Sequence, residues 1–462
     1  MSVKLINTLH LRLQPYQPLH FSLASFLLTS LALFAACGGD GNDETLKDQE
    51  QIEVWIAERA ISLEDTTDLT ALFDSTHNRD MVLLGGHSHG TKDFQELKAE
   101  ISKRLIEEQD FNFIAVEGNW AEIYQLNRYV KGFQTEEDSA KEILQDLPWP
   151  QWQWNNGVTE NFVEWLKTHN EGLALQDRVG FYGLDLYSYE NAMNEIEDYF
   201  ELFLPMTYGE LEDDLECLRQ FSEEDLAYSK SIARGIADCR EEVKWPLELL
   251  KDRENRLMDA NRYSYLRALG SAIVLENAEE YYRRAPAGES HAWNTRARHF
   301  YEITDRLRSF YGDNARGIIW GNNAQTEYNP EKGDRKNLAR FLKDSLGREN
   351  LFSLGLSTYQ GEIKAADQWG APGKVIKIPK ALEGSIEHHF HKSGLEKFLW
   401  VFNEEDRNFP PLKGSIKHRR IGLTYDPASE HRTNYTSRII PQTYDGMIFK
   451  RETGALNPFQ SE

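Results

Sequence analysis

What most constrains this chain is the way short apolar runs alternate with helical stretches along its length. Met81–Leu84, Phe113–Val116, Val179–Leu184, Gly317–Trp320 and Leu351–Leu356 are largely apolar and too short to be helices. Lys397–Phe402 and Met447–Phe449 continue the series toward the carboxyl end. Such runs, separated by helical periods, are what strands buried on both faces look like. The predicted class is α/β, a mostly parallel sheet covered by helices on both faces. Between Tyr189 and Arg308 long charged amphipathic segments predict a large helical insertion packed beside that sheet.

The polar residues fall where strands end. His89, Glu117, Asp185, Asn322 and Tyr359 each follow a separate apolar run. In a parallel sheet those positions share the carboxyl edge, where ligands bind. Any one of them has a structural explanation, such as capping the next helix; together they predict a site. In the stretch Asp80–Thr91, Gly85 and Gly86 break the first strand, and His87 and His89 sit in the turn. A helical period follows, with Thr91 as expected N-cap and Phe94, Leu97, Ile101 and Leu105 on one face. Imidazole in such a turn suits proton transfer near neutral pH.

The amino-terminal 1–36 reads as a targeting segment, with Lys4 and Arg12 ahead of the apolar Phe21–Ala36. Ala35-Ala36-Cys37, followed by Gly and Asp, resembles a bacterial lipoprotein signal, with Cys37 as the lipidation site. The expected location is the bacterial cell envelope, lipid-anchored at the outer membrane. Residues 37–51 are expected to be a flexible tether, and 52–455 a single domain whose first helix covers Ile52–Ser75. The net charge of −23 argues against nucleic acid, and contact with a membrane is expected only through the anchor. In an oxidising compartment Cys217 and Cys239 are expected to clip a helical hairpin, the alternative being two free buried thiols.

Further motifs carry a family resemblance. They are Gly85-Gly86-His87-Ser88-His89-Gly90, Val116-Glu117, Pro148-Trp149-Pro150-Gln151-Trp152-Gln153-Trp154 and Gly183-Leu184-Asp185-Leu186-Tyr187-Ser188. The later ones are Trp293-Asn294-Thr295-Arg296-Ala297-Arg298-His299, Trp320-Gly321-Asn322-Asn323, Gly384-Ser385-Ile386-Glu387, Arg420-Ile421-Gly422 and Tyr444-Asp445-Gly446. In order and spacing, from about Trp55 to Phe449, the chain resembles the erythromycin esterase family. The resemblance implies hydrolysis of an ester or lactone on a small molecule, without metal or cofactor. His89 would be the general base on water and Glu117 its orienting acid. Departures are evident: Gly86 stands where the family signature has Glu, Lys98 where it has Arg, and Asn322-Asn323-Ala324-Gln325 where it has His-Asn-x-His. On this reading Lys98 and Asp185 shape the charge of the pocket. Asn322 and Gln325 offer hydrogen bonds, His87 or His299 compensates for the lost histidines, and Arg298 supports. Trp149, Trp152 and Trp154 are expected as pocket wall.

Two other readings compete. A catalytically degenerate, surface-tethered binding protein accounts for the substitutions. A metal-dependent hydrolase would use His388, His389 and His391, or His87 with His89. No P-loop or dinucleotide fingerprint occurs in the sequence.

Overall fold

The computed structural model describes residues 40–63, 69–134, 139–222, 226–328, 335–457 and 459. The targeting segment and Cys37 lie outside the described residues. The strands are β1 (Ile61–Ser62), β2 (Met81–Leu84), β3 (Phe113–Asn119), β4 (Gly180–Asp185), β5 (Gly317–Trp320) and β6 (Leu351–Ala365). They continue with β7 (Lys374–Ile378), β8 (Lys397–Val401), β9 (Ile416–Arg419), β10 (Tyr435–Arg438) and β11 (Gly446–Thr453). One sheet runs β1-β8-β11-β6-β2-β5-β3-β4, with β7 added to the far end of β6. The pairings from β11 through β6, β2, β5 and β3 to β4 are all parallel; β1, β7 and β8 pair antiparallel. β9 and β10 form a separate antiparallel ribbon.

Alternation along each strand builds a core on each side. Val82, Leu84, Ile114, Val116, Ile318 and Trp320 pack with Phe94, Leu97, Ile101 and Leu105 of helix Lys92–Gln109. Met81, Leu83, Phe113, Ala115 and Ile319 face the opposite way, onto helices that follow Tyr189. Those helices are Tyr189–Phe203, Tyr208–Arg219, Ala227–Ala233, Arg240–Asp252, Glu254–Arg284 and Glu289–Tyr311. A disulfide joins Cys217 to Cys239, tying Tyr208–Arg219 to the N-cap of Arg240–Asp252.

Three local expectations are corrected. Ile52–Ser75 is not one helix. It is helix Asp40–Arg59, then β1, then helix Thr70–Thr76, because Ile61 and Ser62 extend to pair with the edge of β8. The first of these helices begins inside the expected tether, whose Glu, Leu, Lys and Gln are good helix formers. β6 does not stop at Leu356: it continues to Ala365, held by β11 on one side and β7 on the other. Thr91 does hold the N-cap position, but its side chain makes no cap bond and meets the Ser88 hydroxyl instead.

Candidate active site

The turn after β2 is squeezed between its neighbours, which is why its glycines are needed. A Cβ on Gly85 would stand 2.2 Å from Asn323 Oδ1, and one on Gly90 1.8 Å from the Lys364 carbonyl oxygen. This turn delivers His89 to the carboxyl edge of the sheet, and β3 delivers Glu117 beside it. His89 Nδ1 lies 3.5 Å from Glu117 Oε2, with the imidazole side chain 13% exposed and the carboxylate 3%. Glu117 Oε2 also accepts the Asn322 N–H at 3.1 Å, so the loop after β5 fixes the carboxylate. From the end of β4, Asp185 takes a two-point grip on Arg296 at 2.9 and 2.5 Å. Beneath them Lys98 donates to the Gly321 carbonyl at 2.9 Å.

His89, Glu117, Tyr187, Arg296 and Leu423 line a hollow that divides into two arms. The narrower arm, about 470 Å³, is walled by Ile123, Leu147, Trp149, Pro150 and Trp154. The wider, about 890 Å³, runs past Tyr281, Trp293, Trp369 and Arg420. Rings follow one another along the rim: Trp149 to Trp369 at 4.4 Å, Trp369 to Tyr187 at 5.3 Å and Tyr187 to Tyr281 at 5.7 Å between centroids.

Burial, reinforced by the Lys98 and Arg296 cations, pushes His89 down to about 3, so its imidazole is neutral at physiological pH. Burial raises Glu117, with Arg296 pulling the other way. Lys98 is pushed down to about 8 by burial, against the pull of Glu117. The site therefore holds a neutral base, a desolvated carboxyl group and an ammonium close to losing its proton.

Several expected contributors stand elsewhere. The Asn322 side chain is spent on the Ile421 carbonyl and the Ala324 N–H; its backbone, not its amide, serves Glu117. Gln325 does line the wide arm, with Oε1 taken by the Leu338 N–H and Nε2 buried without a partner. His87 is wholly buried, edge-on to Phe94, and only its backbone acts, accepting the Ile421 N–H at 2.7 Å and so pinning a wall of the wide arm. His299 is wholly buried behind Arg296 and lines neither arm. Arg298 points away to Glu280, Glu302 and Asn277. Tyr359 is not at a strand exit, because β6 continues past it, and it stacks on His391 at 3.9 Å. Trp152 packs on Gly373, leaving Trp149 and Trp154 as wall. None of His388, His389 and His391 lines the hollow.

A family profile described as erythromycin esterase matches residues 106–453. The chain belongs to the erythromycin esterase family. A solved Bacillus cereus protein is similar in fold at 17% identity and a TM-score of 0.73, covering 89% of this chain and 99% of that one. A succinoglycan biosynthesis protein aligns at 18% identity and 0.71, with the same coverage. The erythromycin esterase EreC, a histidine-to-asparagine variant in an open conformation, aligns at 14% and 0.64, covering 87% of this chain and 99% of its own.

The departures from the family signature meet in space. A Cβ on Gly86 would lie 3.7 Å from Lys98 Nζ, so the missing Glu and the replaced Arg are neighbours. With no carboxylate at 86, the Lys98 ammonium turns to a backbone carbonyl and to Glu117. Arg296 is the residue the sequence reading passed over, although it lies inside a quoted motif. Glu289, Ala292, Trp293 and Arg296 recur at helical spacing, and all line the wide arm. Arg298, two positions on, is turned to another face. The helical period was the available signal.

Proposed function

We propose that this chain hydrolyses an ester or lactone of a small molecule with His89 as general base. The observation that carries the reading is the contact of His89 with Glu117 in the divided hollow. Nδ1 faces the carboxylate, which leaves Nε2 for water. Nε2 takes a proton as the water oxygen bonds to the substrate carbonyl carbon, and the carbonyl electrons move onto oxygen. Arg296, held rigid by Asp185, lines the hollow and suits that oxyanion. As the intermediate collapses, the ester C–O bond breaks and the imidazolium returns its proton to the departing alkoxide. Acid and base are one residue, so the histidines missing after β5 are not required. The aromatic rim suits a sugar or macrocycle face. An envelope-anchored location, set by Cys37, accompanies this reading.

The test is hydrolysis of macrolides and acylated sugars by the purified chain, beside His89→Ala and Glu117→Gln. Loss of about 10²–10⁴-fold in kcat for His89→Ala is expected. Equal rates would replace hydrolysis by ligand binding alone.

A further inference from the structure

A second cluster of ligand-type side chains lies away from the hollow. We infer that Glu53, His388 and His389 bind one divalent transition metal of the zinc class, fastening the amino-terminal helix to the body of the protein. Each of the three offers a ligand atom, and these atoms lie within 4.8 Å of one another. His389 Nδ1 and Glu53 Oε1 are 3.4 Å apart. In a tetrahedral site with bonds of about 2.0–2.1 Å, neighbouring ligand atoms stand about 3.3–3.4 Å apart. The pair is already spaced as one edge of such a tetrahedron.

An ordinary hydrogen bond accounts for that pair but not for His388. Its ring sits 5.9 Å from that of His389, and the bond it accepts, from the Gly384 N–H to Nδ1, is a long 3.4 Å. A lone pair there is given up at small cost. Glu53 comes from helix Asp40–Arg59 and both histidines from helix Ile386–Lys392. Ile52 and Ile56 pack in the same core cluster as Ile386 and Phe390, so the two helices are held together before any ion arrives. Two imidazoles and one carboxylate favour zinc, copper or nickel over magnesium or calcium, and leave a fourth position to water. His391, the third histidine of the run, is stacked on Tyr359 instead. None of the three ligands lines the His89 hollow, so the ion takes no part in the chemistry there and acts by joining the two helices that supply its ligands.

The full chain, stripped with chelator, is titrated with zinc by calorimetry and with cobalt by visible absorption. Hydrogen exchange is followed across helix Asp40–Arg59. One equivalent of zinc is expected to bind, with a tetrahedral cobalt spectrum and slower exchange in that helix. Glu53→Gln and His388→Ala, at partly exposed positions, are each expected to weaken binding by about a hundredfold or more while circular dichroism stays unchanged. Absence of saturable uptake would overturn the proposal, as would wild-type affinity in both folded variants. Loss of ester hydrolysis on chelation would overturn the structural assignment.

Discussion

Lys98 carries charge in the form most easily lost. Held down to about 8, it is an ammonium below that pH and neutral above it. Its cation adds to the larger pull of Arg296 on the desolvated Glu117, and its loss takes one positive charge from beside the site, so kcat/KM is expected to fall as pH rises through about 8. Lys98→Arg, which does not titrate in this range, should abolish that limb in a pH–rate profile. Gly86→Glu should move the limb to higher pH, because its carboxylate would lie beside Nζ and favour the charged lysine. Arg296→Lys keeps a charge but loses the fork onto Asp185, and a loss of about 10²–10³-fold in kcat is expected. Arg298→Lys is expected within about twofold of wild type in the same assay, since that side chain faces Glu280. The two arginines also mark how far sequence carries. His89 and Glu117 are legible because strand exits are one-dimensional features. The choice between residues 296 and 298 depends on helix rotation, and Asn322 acts through a backbone N–H that every residue but proline has.

At the scale of elements, the strands that create the site are those the apolar runs announce: β2, β3, β4 and β5. The short or polar ones, β1, β7 and the β9–β10 ribbon, carry no such signal; they exist because a neighbour offers an edge. The same cause misplaces Tyr359, since the pairing partners of β6 decide where it ends. The helices after Tyr189 depend on one covalent clip. Cys217 and Cys239 close a loop with a sequence separation of 22. Replacing both by serine is expected to lower stability by about 2–4 kcal/mol through the freed unfolded chain. Urea unfolding followed by far-UV circular dichroism, wild type against the double variant, measures it.

Across the whole molecule, buried histidines set the response to acid. Burial holds His87 at about 3, so between 6.5 and 3 the unfolded chain binds a proton that the fold refuses. Its neutral form is stable above 6.5, and stability is lost as pH falls below that value. Glu195, pushed up by burial to about 7, works the other way between 7 and 4.5. A difference isolates the histidine: the stability of wild type relative to His87→Asn should drop by about 1.4 kcal/mol per pH unit below 6.5. Denaturant midpoints at pH 7, 5.5 and 4.5 read it directly. The two branches of the hollow are unequal: one opens past Trp293 and Trp369, while the other closes down between Ile123 and Trp154. Were an ester cleaved at His89, its bulkier fragment would have to sit in the open branch and leave by it.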